Sequence, residues 1–222
     1  MATNGGPNII EDGLVFAVDA ANKKSYPGSG TTWADLAGTS NGTLTNGPTF
    51  DSANGGSIVF DGTDDYVVTS GGNLPALNSL SALSVCGFFN VDSTSAIRQI
   101  YSWGDNNGIR FRINSGTQVR LLERGGTNSP TFNVTIDNDT WYFFCTIADS
   151  SGLTVFINTT KLTGGSAFSP TDTSNTVYIG SRSTSTSEVM DGSIACLSIY
   201  NKTLTDAEVT QNYNALKSRF GL

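Results

Sequence analysis

From residue 13 to residue 200 the chain repeats one pattern, a short apolar run followed by a cluster of Gly, Asn, Ser, Asp or Thr. The runs include GLVFAVDA (13–20), SIVF (57–60), DYVVTS (65–70), LSVCGFFNV (83–91), RQIYSW (98–103), GIRFRIN (108–114) and TQVRLLE (117–123). TFNVTI (131–136), WYFFCTIAD (141–149), LTVFIN (153–158), TVYIG (176–180) and SIACLSIY (193–200) follow. GDNNG, NSG, RGGTNSP, DND, DSSG and KLTGGS separate them. Runs this short between turn formers read as strands, and their regular recurrence predicts an all-β antiparallel sandwich or barrel. RFRI and QVRL alternate and predict one wet face, whereas YFFC and LSVCGFF read as buried on both sides. SIVF and DYVVTS, with three aspartates between them, read as a hairpin.

Helical spacing is convincing only in LTDAEVTQNYNALKSRFGL (204–222). Thr205 and Glu208 form a capping box, and Leu204 and Val209 are placed as the hydrophobic staple. Val209, Tyr213, Leu216 and Phe220 give one apolar face, Lys217 and Arg219 oppose the helix dipole, and Gly221 can end the helix. The expectation is a helix over 205–219 capping one edge of the sandwich. Residues 1–11 read as an N-terminal arm and residues 12–222 as one domain.

Composition excludes several chemistries. The sequence has no histidine, which removes Ser-His and Cys-His nucleophilic systems. Glu11, Glu123, Glu188 and Glu208 are the only glutamates, and none forms a close pair with another acid of the kind that flanks a glycosidic bond. The chain therefore reads as non-enzymatic. Its net charge of −7 disfavours nucleic acid and anionic membranes as partners. No stretch is long and apolar enough to insert in a bilayer, and no signal peptide is visible. Cys86, Cys145 and Cys196 sit singly in apolar runs and read as buried, unbridged core residues.

Two further groups invite a ligand. Arg110, Arg112, Arg120 and Arg124 fall on two adjacent predicted strands, where alternation gives them one wet face. They read as a solvated sheet face or as a contact surface for a protein or an acidic glycan. Trp103, before a loop, could line a sugar platform with Tyr101; packing inside the sandwich is the competing reading.

Two blocks carry a family resemblance. One is DGLVFAVDAANKKSYPGSGTTWADLAG (12–38), continuing through NGTLTNGPTFDSANGGSIVFDGTDDYV (41–67). The other is DGSIACLSIYNKTLTDAEVTQNYNALKSRFGL (191–222). Together they resemble the laminin-G-like, concanavalin A-like jelly-roll family, in the form found in virion proteins of tailed bacteriophages. The resemblance implies a two-sheet antiparallel jelly-roll with one C-terminal helix. It also implies a virion structural or decoration protein binding other virion proteins; with no signal peptide visible, the chain reads as made in the host cytoplasm. The alternative is a calcium-dependent glycan-binding adhesin of a tail fibre or tip, using loops such as 101–108 and 181–191 on a cell-surface glycan.

The aspartates of VFDGTDDYV (59–67) bear on that choice. Asp61-Gly62 is a turn signal, so Asp61, Asp64 and Asp65 could serve the turn alone. They could instead hold calcium, a hard cation that takes six to eight oxygens. In a jelly-roll the terminal strands often lie side by side, which would let Asp19 and Asp191 add ligands. Acid-base chemistry is the remaining reading.

Overall fold

The computed structural model describes residues 8–69, 74–75, 77–104, 108–123, 125, 128–168, 172–184 and 186–222. Its strands are β1 (Leu14–Asp19), β2 (Thr32–Trp33), β3 (Gly42–Thr45), β4 (Thr49–Asp51), β5 (Ser57–Asp61), β6 (Tyr66–Thr69), β7 (Leu83–Val91) and β8 (Arg98–Trp103). They continue as β9 (Ile109–Ser115), β10 (Gln118–Glu123), β11 (Thr131–Asn133), β12 (Trp141–Asp149), β13 (Gly152–Ile157), β14 (Thr160–Gly164), β15 (Val177–Ile179) and β16 (Asp191–Tyr200). One α-helix, α1 (Asp206–Leu216), follows, and a 3-10 turn, Lys217–Phe220, extends it.

The strands form two sheets with antiparallel pairing throughout, the sandwich the sequence predicts. The first runs β14-β13-β12-β7-β16-β5-β4, with β1 also on β16; the second runs β11-β10-β9-β8-β15-β6-β3-β2. Strand β16 organises the first sheet. Its N-terminal half pairs with β5, from Asp191 opposite Asp61 to Ile194 opposite Ile58. Its C-terminal half pairs with β1, from Cys196 opposite Asp19 to Tyr200 opposite Leu14. An irregularity between Ile194 and Cys196 marks the changeover, where Ala20 N donates to the Ala195 carbonyl at 2.9 Å. The terminal strands thus do lie side by side.

The expected hairpin between SIVF and DYVV is not formed. Strand β5 belongs to the first sheet and β6 to the second, so the three aspartates sit at a corner between sheets. Both strands send alternate side chains into one core, Ile58 and Phe60 from β5 and Val67 from β6. Two strands can do this from opposite layers as well as from one, so alternation does not distinguish a hairpin from a corner.

Two apolar clusters result. The larger fills the space between the sheets, around Phe16, Trp33, Phe60, Phe89, Trp103, Phe111 and Phe144. The second lies on the other face of the first sheet and joins Cys86, Phe88, Phe143, Cys145, Cys196 and Tyr200 to Val209, Tyr213 and Phe220. The helix therefore covers a sheet face and does not cap an edge. The reason is visible in β7, β12 and β16, adjacent strands with apolar residues on both faces, whose outer patch needs a cover. Phe220 stacks on Phe88 with ring centroids 4.5 Å apart and meets Trp141 at 4.6 Å. Burying a ring of this kind contributes roughly 2–3 kcal/mol.

The capping box forms as read. Glu208 N donates to Thr205 Oγ1 at 3.3 Å and Thr205 N to Glu208 Oε2 at 2.8 Å. Gly221 ends the segment in the left-handed region, φ 70°. The three cysteines are buried and unbridged. Of the predicted arm, residues 8–10 dock on this chain. Ile10 N donates to Asn212 Oδ1 at 2.8 Å, and Tyr200 Oη donates to the Ile10 carbonyl at 3.1 Å. Residues 1–7 lie outside the described residues. No helix among the described residues is long and apolar enough to cross a membrane.

Candidate functional site

The inter-sheet corner brings Asp61, Asp64 and Asp65 together, one carboxylate oxygen of each within 4.8 Å of the others. Local hydrogen bonding shapes the corner. Thr63 N donates to Asp61 Oδ1 at 2.8 Å, and Asp61 N donates to Asp65 Oδ2 at 3.1 Å. Gly62, at φ 73°, leaves no room for a side chain, because a Cβ there would lie 2.9 Å from Asp191 Cβ. Asp65 is buried, and burial foremost, then the charges of Asp61 and Asp64, raise its carboxyl above the ordinary range against the Asp61 N–H. The donor set fits a calcium ion. It is all oxygen, the donor type that calcium takes, and the three oxygens lie close enough together to share one ion.

Asp19 and Asp191 do not complete that set. Asp19 lies at the far end of the β1–β16 pairing, where Arg219 Nη1 holds both its oxygens at 3.0 and 3.1 Å. Asp191 is the register partner of Asp61, but its Oδ2 accepts from Arg98 Nη2 at 2.7 Å. Sequence reasoning placed the strands correctly and missed the two arginines, which come from residues 200 and 93 positions away.

Tyr101 and Trp103 are not a sugar platform. They are 1% and 0% exposed, inside the sandwich, and Tyr101 Oη is hydrogen bonded to Thr146 Oγ1 at 2.7 Å. A β-bulge causes the reversal. The register of β8 shifts between Gln99, opposite Arg112, and Tyr101, opposite Phe111. Without that extra residue Tyr101 and Trp103 would share the outer face of Gln99. Gln99 Nε2 secures the bulge by donating to the carbonyls of Tyr101 at 2.6 Å and Phe111 at 2.8 Å.

The arginines do share the outer face of the second sheet. Phe111, Ile113, Val119 and Leu121 point inward, and Arg110, Arg112 and Arg120 alternate with them. Arg112 and Arg120 are direct cross-strand partners. Arg124 lies outside the described residues. The face is not open water, however, because Glu188 closes over it. Its Oε2 accepts from Arg110 Nη1 and its Oε1 from Arg112 Nη1, each at 2.8 Å, with Arg182 Nη1 at 3.8 Å. Glu188 holds a left-handed backbone, φ 59°, which costs a non-glycine residue about 1 kcal/mol or more. Burial first, then the charge of Arg112, lowers the Arg120 guanidinium from its ordinary value, against the pull of Glu188. Tyr66 and Tyr178 stand on the same sheet, ring centroids 6.0 Å apart. In the sequence Glu188 is one glutamate in a serine-rich loop and nothing marks its partners; the period-2 placement of Tyr66 and Tyr178 was readable.

This geometry agrees with comparisons to known proteins. The family model described as the concanavalin A-like lectin/glucanases superfamily matches residues 61–210, and the chain belongs to that superfamily. No curated protein sequence matches it significantly. Among solved structures it is similar to the binding domain of botulinum neurotoxin serotype D, with a TM-score of 0.71 at 12% identity over 92% of this chain and 52% of that one. It is similar to the binding domain of botulinum neurotoxin DC in complex with SialylT, TM-score 0.70 at 15% identity over 93% and 52%. A third is Trypanosoma rangeli sialidase in complex with sialic acid, TM-score 0.68 at 13% identity over 93% of this chain and 33% of the sialidase. The chain thus spans about a third of the sialidase and half of the toxin domains. At these identities the likeness is one of fold.

Proposed function

We propose that this chain is a non-catalytic binding module of a tailed-bacteriophage virion, made in the host cytoplasm and held on the particle by other virion proteins. The carrying observation is where the carboxylates go. Glu188 lies in an arginine clamp, Glu208 in the capping box, Asp19 on Arg219, Asp191 on Arg98 and Asp206 on Lys161. Each is bound to a cation or a backbone N–H that ties elements together, and none of these five is left free, as the carboxylates of an acid and base pair would be. The virion context rests on the resemblance of blocks 12–67 and 191–222, whose residues build β1 to β6, β16 and α1. In this reading calcium is bound by Asp61, Asp64 and Asp65 and stiffens the corner between sheets.

A second reading, a glycan-binding adhesin, draws support from the outer face of the second sheet. That face combines arginines with two tyrosine rings, and proteins that contain this fold have been solved in complex with SialylT and with sialic acid. Electron microscopy of purified virions, paired with glycan binding by the isolated chain, tests both. Density for the chain against neighbouring subunits is the expected result. Absence from particles, together with cleavage of a polysaccharide in solution, would overturn the proposal.

A further inference from the structure

The outer face of the second sheet holds more positive charge than its own carboxylate answers. Arg110, Arg112, Arg120 and Arg182 gather there, four of the seven arginines in a chain of net charge −7. Arg112 and Arg120 stand directly opposite each other on neighbouring strands, an arrangement that destabilises a sheet unless an anion intervenes. Glu188 accepts hydrogen bonds from Arg110 and Arg112, with Arg182 Nη1 a longer 3.8 Å away. Among the described residues Arg120 donates solely to the Ser129 carbonyl, at 2.9 Å, and to the Ser129 hydroxyl. Arg112 is 6% exposed, and its Nε, like that of Arg120, is buried with no acceptor among the described residues. Such unmet charged donors are costly to bury.

We infer that Arg112 and Arg120 form a binding site for the carboxylate of an acidic saccharide, with Glu188 as the chain's own competing carboxylate at its margin. The inference rests on the glycan reading above. Adjacent strands lie about 5 Å apart, so one carboxylate can accept from both guanidiniums. Glu188 shows that this face already binds that chemical group. Asn114, whose Oδ1 accepts from Arg112 Nη2 at 3.4 Å, and Gln118, whose Nε2 donates to Asn133 Oδ1 at 3.3 Å, stand on the two strands beside the pair, and each keeps its other amide atom for a hydroxyl. Tyr178 is opposite Ser102, which is opposite Arg110, so a tyrosine ring lies two strands, about 10 Å, from Arg110 and three strands from Arg120. Rings and guanidiniums on one face suit a sugar better than an acidic peptide.

Titration of the full chain with glucuronic acid, followed by calorimetry and by the arginine Nε–H resonances, tests this. Glucuronate should bind and shift the Arg112 and Arg120 signals, while glucose should not. Arg120→Gln should weaken binding roughly tenfold or more, the loss expected for a charge-assisted hydrogen bond. Glu188→Gln should strengthen it. Should that variant fold poorly, the Arg120 variant decides, since the hydrogen bonds of Arg120 among the described residues go to neutral partners. Equal binding of acetate, preference for a polyglutamate peptide, or indifference to Arg120→Gln would each overturn the site. A neutral glycan that binds regardless of Arg120 would overturn this site and leave the glycan reading standing; failure of every glycan would remove both.

Discussion

Asp65→Asn should change stability in opposite directions with and without calcium. In EDTA the wild-type corner holds three carboxylates with oxygens within 4.8 Å. At that upper limit two unit charges repel by about 0.9 kcal/mol in water, more if closer, and Asp65 faces two such neighbours. Physiological salt screens part of this, leaving about 1 kcal/mol to be relieved by a neutral amide. Asparagine keeps an oxygen for the Asp61 N–H, so the turn survives. The variant should therefore melt about 2–4 °C above wild type in EDTA, the shift for 1 kcal/mol in a chain of this size. With calcium at about a hundred times its dissociation constant, wild type gains about 2.7 kcal/mol, and a site short of one carboxylate gains much less. The order of melting temperatures should then reverse. Thermal melts by circular dichroism, in EDTA and in calcium with matched ionic strength, read both orders. If Asp65→Asn shifts the melting temperature equally in both buffers, calcium does not bind this corner.

Glu208 carries a carboxyl lowered first by its hydrogen bond to Lys202 and then by the Thr205 N–H. A lowered acid stabilises the fold above its unfolded pKa, about 4.3, and that contribution is lost as pH falls through the folded value. The melting-temperature gap between wild type and Glu208→Gln should stay constant above about pH 5 and close in stronger acid; a gap that widens there refutes the assignment. Phe220→Ala should cost about 3 kcal/mol, or roughly 6–12 °C, and red-shift Trp141 emission, because the ring packs between Phe88 and Trp141. A cost below about 1 kcal/mol would mean that the helix does not need this anchor.

Local features were the most legible in the sequence. The capping box, the left-handed Gly221 and the strands from Leu83–Val91 to Asp191–Tyr200, Thr160–Gly164 excepted, follow from residue type and spacing over a few positions. Strands Thr32–Trp33, Gly42–Thr45, Thr49–Asp51 and Thr160–Gly164 were not read. They are short and rich in Thr and Gly, so composition alone reads them as loops. The period-2 pattern fixes which residues point inward but not which layer a strand joins, and the corner at Asp61–Asp65 was therefore read as a hairpin.

The site needed information that alternation lacks. One extra residue in β8 reversed the faces of Tyr101 and Trp103, and nothing local marks a bulge whose partner is Gln99 itself. The arginine face shows the converse case. Alternation placed Arg110, Arg112 and Arg120 together correctly, because β9 and β10 are joined by a tight turn and their pairing is local. Whether such a face is solvated or closed depends on a carboxylate 76 or 78 residues away. That carboxylate arrives on the connection between β15 and β16, which belong to different sheets. The connection must cross from one layer to the other, and in doing so it carries Glu188 over the second sheet. Glu188 hydrogen bonds to two of the arginines, lies 3.8 Å from a third, Arg182, and leaves Arg120 hydrogen bonded to neutral partners among the described residues. Among the described residues the topology thus supplies one carboxylate to four arginines on this face, and the remaining charge suits the anion from outside the chain proposed above.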